Sequence, residues 1–217
     1  MKGLWLAFLR YDEGLTRSWF EPVTAVLMAL TTLATAWCSY ESSRWSNQSS
    51  NDSSTAANLE REANALHSEG NQVLSTQVTI FLDLLHAELT GEDKVINFYK
   101  PRLGGELRTA YDAWMAQKPF ENSKAAPHPF VPELYHPRFA DEVKEKRTKS
   151  AEHSVASNKE ARTAATYLAN TVLFATVLFF AATANKFDHR AVRQSTILFA
   201  MTVFLFAVVR LFMLPVA

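Results

Sequence analysis

Residues 138–185 read RFADEVKEKRTKSAEHSVASNKEARTAATYLANTVLFATVLFFAATAN, with no proline and no glycine. The run begins charged and ends apolar, and no residue punctuates the change. Uninterrupted composition of this kind reads as one helix that enters a membrane directly. At 1.5 Å per residue, about 48 residues extend roughly 70 Å, of which only some 30 Å is bilayer core. The remainder is a projecting stalk.

Two further stretches lack charge almost entirely. PVTAVLMALTTLATAWCSY covers 22–40, and STILFAMTVFLFAVV opens a segment over 195–215. Each approaches the roughly 20 residues that span a bilayer as a helix. Ala34-Thr35-Ala36 mimics a signal-peptide cleavage site, but about twenty residues precede the run, so a retained helix is expected. The mean hydropathy of −0.09 looks soluble only because it averages over segregated segments.

The expected fold is therefore an all-α integral membrane protein with three transmembrane helices, the first two extending as a stalk into an extramembrane helical domain. Its parts are an interfacial N-terminal segment at 1–21, membrane helix 1 at 22–40, the helical domain at 41–163, membrane helix 2 at 164–185, a basic turn at 186–194 and membrane helix 3 at 195–215. Leu4, Trp5, Phe8 and Leu15 beside Arg10, Asp12, Glu13 and Arg17 suit a helix lying in the interface. Pro22 fits the first position of the first span, where its missing N–H costs nothing.

Within 41–163, Leu74, Val78, Phe81, Leu82, Leu85 and Leu89 recur at helical spacing, and Gly91 ends that pattern. Residues 92–100 suit a short helix. Pro101 can open another, with Leu103, Leu107, Tyr111 and Trp114 on one face. Pro119, Pro127, Pro129 and Pro132 mark an irregular loop. Small residues such as Ala56, Ala63, Ala156, Ala161 and Ala164 allow close helix approach, although the stalk has no obvious apolar seam.

The chain carries 22 Lys plus Arg and 22 Asp plus Glu, so its net charge is zero. That gives no support for nucleic-acid binding, which needs a clustered basic footprint. One cysteine, Cys38, excludes an intramolecular disulfide and a cysteine metal cluster. Arg10, Arg17, Lys186, Arg190 and Arg193 fall on one side of the membrane in this topology. The positive-inside rule then puts the N terminus and the 186–194 turn in the cytoplasm, with 41–163 and the C terminus periplasmic.

No Walker loop, G-x-G-x-x-G, G-x-S-x-G or H-E-x-x-H is present, so no enzyme activity and no cofactor are expected. Asp83 with His86, and Glu133 with His136, stand three apart, as in carboxylate-bridged metal sites, but such sites need further inward glutamates. No metal site is assigned.

The polar residues of the spans are more informative. Thr24, Met28, Thr31, Thr35 and Cys38 form a stripe at helical spacing, continued by Ser42. Such a stripe marks helix packing or lines a water-filled path. Asn170 and Thr171 leave the same choice open in span two. Arg210 sits about 6 Å inside the end of span three. It either snorkels to the interface, pairs with Glu41 at the same membrane face, or joins a ring of arginines in an oligomer.

Trp37, Tyr40 and Trp45 flank the membrane exit. Phe98-Tyr99-Lys100-Pro101-Arg102 precedes Ala113-Trp114, and Phe130-Val131-Pro132-Glu133 closes the Pro-rich loop. With the second span TVLFATVLFFA, this layout resembles a family of uncharacterised small bacterial integral membrane proteins with one span, a polar helical insert and a C-terminal hairpin. The resemblance implies a bacterial inner membrane setting and no activity. It is also similar in topology to the channel-forming subunits of proton-driven motor complexes, which carry their insert in the cytoplasm.

Three spans cannot surround a pore, so transport requires an oligomer. The functional expectation is a homo-oligomeric membrane protein, an ion channel, in contact with membrane lipids. The competing expectation is a non-transporting, membrane-anchored interaction or sensor protein whose domain at 41–163 meets a protein partner.

Overall fold

The computed structural model describes the backbone of residues 2–184, 186–187 and 189–216, and side chains from Glu21 onward. The expected interfacial character of 1–21 lies outside the described side chains, apart from Glu21. The chain is all-α. Helix α1 runs Lys2–Thr90, α2 Asp93–Tyr99, α3 Gly105–Met115, α4 Ala140–Ala184 and α5 Arg190–Phe212, with one 3-10 turn at Lys100–Arg102. Glu21–Thr90, Ala140–Ala184 and Arg190–Phe212 are each long and apolar enough to cross a membrane.

Two details of the elements differ from expectation. Pro22 lies inside α1 and does not begin it. The basic stretch expected as a turn is mostly the first turn of α5, because the helix begins at Arg190. Lys186 N–H donates to Thr183 O at 2.9 Å, so the reversal is tighter than the composition suggested.

The chain divides into two compact units. The first comprises Met1–Ser53 and Ser154–Ala217, the second Ser54–His153. In the first, the three apolar segments pack on small residues. Ala181, Ala184, Ala200 and Ala207 are fully buried, as is Thr31. Small side chains let helix backbones approach closely, which is how association proceeds where lipid is as apolar as leucine. One cluster holds Leu27, Val177, Ala181 and Ala200, and a second holds Cys38, Tyr167, Phe174 and Ala207. Val26, Leu30, Leu33, Leu168, Leu198 and Phe206 stay exposed, which suits a surface solvated by lipid.

Beyond the apolar stretch, α1 and α4 are joined by serines. Ser42 Oγ donates to Ala164 O at 3.0 Å, and Ser49 and Ser157 donate to each other's carbonyls at 2.9 and 2.8 Å.

In the second unit, Ser150 Oγ donates to Ala56 O at 2.9 Å, and Lys146 pairs with Glu62 at 2.9 Å. The core there holds Phe81, Leu84, Leu103, Leu107, Tyr111 and Trp114. Tyr111 and Trp114 fall on the inward face of α3 as their spacing predicts. The α1 face differs from expectation. Gln77, Phe81, Leu84 and Ala87 point inward, while Leu82 (55% exposed) and Leu89 (68%) point outward.

Helix α1 ends at Gly91, φ 73°, with Glu92 N–H donating to Ala87 O at 2.9 Å. That six-to-one bond and left-handed residue form a Schellman cap, where glycine carries no Cβ penalty. The Pro-rich loop is held by Trp114 Nε1, which donates to Ala126 O at 2.7 Å, and by Phe130 packed edge-on against Phe81.

Candidate functional site

The polar stripe of span one is used up inside the chain. Thr24, Thr31 and Cys38 are buried, and Met28 and Thr35 half-buried. Their neighbours are the inner faces of α4 and α5. Thr31 Oγ1 donates to Leu27 O at 2.6 Å and Thr35 Oγ1 to Thr31 O at 2.7 Å, so these hydroxyls are satisfied by their own helix. The outward-facing Thr32 does the same with Met28 O at 2.8 Å.

Asn170 joins all three spans. It is fully buried on α4, and its Nδ2 donates to Ala207 O on α5 at 3.2 Å and to Cys38 Sγ on α1 at 3.7 Å. Its Oδ1 has no hydrogen-bond partner. A buried, unsatisfied acceptor costs about 1–3 kcal/mol. Thr171 is not part of this cluster: its hydroxyl donates to Leu168 O at 2.6 Å on the exposed side.

The Glu41–Arg210 pair does not form. Glu41 is fully buried, and Arg44 lies one turn away with Nη1 at 3.8 Å. A partner on the same helix needs no reach across the bundle. Arg210 is half-buried in the last turn of α5 and makes no ion pair among the described residues. There it faces the negative end of the helix dipole, and Ala207 and Leu211 occupy the packing positions beside it.

One contact was not anticipated. Pro215 O accepts from Tyr167 Oη on α4 at 2.9 Å and from Trp45 Nε1 on α1 at 3.3 Å. Trp45 read as an interfacial aromatic, and nothing in its spacing pointed to a backbone carbonyl 170 residues on.

The second unit carries an open hollow of about 720 Å³, lined in part by Gly105, Glu106, Leu134, Arg138, Phe139 and Asp141. Behind it stands a polar network. Tyr135 Oη donates to Gln77 Oε1 at 2.7 Å, and Gln77 Nε2 to Glu106 Oε2 at 3.4 Å. Arg138 grips Glu106 with two bonds, Nε to Oε1 at 3.0 Å and Nη2 to Oε2 at 3.2 Å. The guanidinium holds the Glu106 carboxyl below the usual carboxylate range, and burial pushes the Tyr135 phenol up.

His136 Nε2 meets Asp141 Oδ2 at 3.0 Å, not Glu133, and the Glu133–His136 spacing falls in a loop, not on a helix. Among the described residues no group of three acidic, histidine or cysteine side chains is placed to hold a metal. Phe139 has φ 66°, a left-handed backbone that costs a bulky residue about 1–2 kcal/mol. Gly105, across the hollow, has φ 48°. Strained positions of this kind concentrate at binding and switch regions.

No family model, no curated protein and no solved structure matches this chain.

Proposed function

We propose that this is a membrane-anchored, non-transporting protein that acts through its polar helical unit, residues 54–153. The observation that supports this reading is the burial of Thr24, Thr31 and Cys38 against the other two spans of the same chain. A homo-oligomeric channel would need lining residues other than that stripe, and the outward faces of the spans are apolar. The lipid-facing surface, the basic side at Lys186–Arg193 and the family resemblance favour a bacterial inner membrane, with the N terminus cytoplasmic and residues 54–153 periplasmic.

The test is ion flux through the full chain reconstituted in phosphatidylcholine liposomes, under steps of voltage, pH and tension. No flux above empty liposomes is expected. Flux that Thr31→Val or Arg210→Ala alters would overturn the proposal in favour of a channel.

A further inference from the structure

We infer that Glu160 on α4 and Asp52 on α1 form a proton-dependent latch: sharing one proton they hold the two helices together, and losing it they let the seam part. The latch works in the same way whether or not the protein passes ions.

Glu160 sits inside the α1–α4 seam. Along α4 it falls between Ser157, bonded to Ser49, and Ala164, bonded to Ser42. It is only 6% exposed, and its Oε2 is buried without a hydrogen-bond partner. Its carboxyl is hydrogen-bonded to two side chains of α1, Gln48 and Asp52. The Gln48 amide can donate to a carboxylate. Asp52 cannot while both acids are ionised, because an ionised carboxyl group only accepts. The contact between the two carboxyl groups therefore needs a proton. Without it, two negative charges meet in a seam otherwise closed by serine hydroxyls.

Burial, and after it the Asp52 carboxylate, push the Glu160 carboxyl above the ordinary glutamate range. The groups that act on it are Asp52 and Gln48, and neither is a base. The other charged side chains of this stretch of α1 are Glu41 and Arg44, which lie 3.8 Å from each other. On α4, Lys159 and Arg162 are exposed, and His153 stands two turns before Glu160. A carboxyl raised in the folded state keeps its proton where the unfolded chain has lost it. The latch is therefore fully closed below the ordinary value of 4.5 and is released as the pH rises through the higher folded value. Its sign is opposite to that of Glu106, whose carboxyl Arg138 holds down.

The experiment is amide hydrogen exchange on the full chain in phosphatidylcholine nanodiscs, from about pH 4 to about pH 8, a range that brackets an upward-shifted carboxyl. Parent and variants are compared at each pH, so the intrinsic exchange rate cancels. Relative to Glu160→Gln, whose amide donates to Asp52 at any pH, exchange in the parent over 46–53 and 156–164 should rise about threefold or more as the pH goes up. Asp52→Asn, which removes the like charge and supplies a donor, should flatten the dependence as well. His153→Gln should leave it in place. Infrared difference spectra of the parent should show the C=O stretch of a protonated carboxyl at about pH 6, where exposed carboxyls are ionised, and Asp52→Asn should weaken that band. Should Glu160→Gln fail to fold, Asp52→Asn and the infrared band decide. Exchange that follows the variants at every pH, exchange that slows as the pH rises, a dependence lost in His153→Gln, or no protonated band in the parent would overturn the inference.

Discussion

Gly70→Ala tests how tightly the second unit is packed. Gly70 lies inside α1, where alanine is better for a helix by about 1 kcal/mol. A Cβ built on Gly70 would stand 2.8 Å from the backbone oxygen of Arg138. Ordinary contact begins at 3.4 Å, so the carbonyl would have to retreat by about 0.6 Å. It is poorly placed to do so. The Arg138 side chain is tied to Glu106, and Phe139 follows in a left-handed conformation. Overpacking against a held backbone costs about 1–3 kcal/mol, which exceeds the gain in helix propensity. The net expectation is a loss of about 1 kcal/mol, or roughly 4–8 °C in the melting of a unit of this size. Amide hydrogen exchange on the full chain in nanodiscs reads it locally, with faster exchange around 66–74 and 138–143. Gly70→Val should be worse. A variant that melts higher than the parent would refute the reasoning, because helix propensity alone predicts a rise.

Other substitutions probe the remaining contacts. Asn170→Leu should cost about 1 kcal/mol in detergent melting, the scale of an intramembrane hydrogen bond, since it also removes the unsatisfied oxygen. Asn170→Asp should cost about 3 kcal/mol or more, because a second buried carboxyl oxygen replaces the Nδ2 donor and faces the Ala207 carbonyl, and a milder effect than Leu would show that Asn170 is not buried. The folded Glu106 carboxyl titrates below its ordinary 4.5. Its pairing with Arg138 therefore stabilises fully above about pH 4.5 and is lost as the pH falls through the folded value. Arg138 is partly exposed, so solvent screens the pair and the effect is small. Thermal melting of Glu106→Gln between pH 3 and 6 should show a flatter acid limb than the parent, and parallel limbs would remove Glu106 from the acid response.

The long helices were legible because 138–185 has no helix breaker, and the three spans because apolar residues cluster at bilayer length. The α1–α4 seam was harder to read. Ser42, Ser49, Ala56, Ala63 and Gly70 recur every seven residues, but a search for apolar residues passes over serine and glycine. The same repeat read as small residues would have located the close approach. The threonine stripe was visible as a pattern, but whether its partner was water or another helix depends on packing that no single helix encodes. The Glu41–Arg210 pairing, one of three readings of Arg210, was drawn from membrane depth alone. Depth does not say which side of a helix a residue occupies, and Arg44 was nearer along the chain. The hollow of the second unit is built from the α3 start and the 134–142 segment, distant from each other in sequence, so no local motif announced it.

The back-bonded threonines bear on how the protein is made. Span one leaves the ribosome about 120 residues ahead of span two, an interval of roughly 6–25 s at ordinary rates of synthesis. For that time its future packing face has only lipid or the insertion machinery beside it. Thr31, Thr32 and Thr35 have already given their protons to carbonyls four residues back, so they ask nothing of the surroundings while they wait. Asn170 is different, since both acceptors of its amide lie on other helices. The late-arriving hairpin thus brings the group that needs company, and the early helix is built to tolerate solitude.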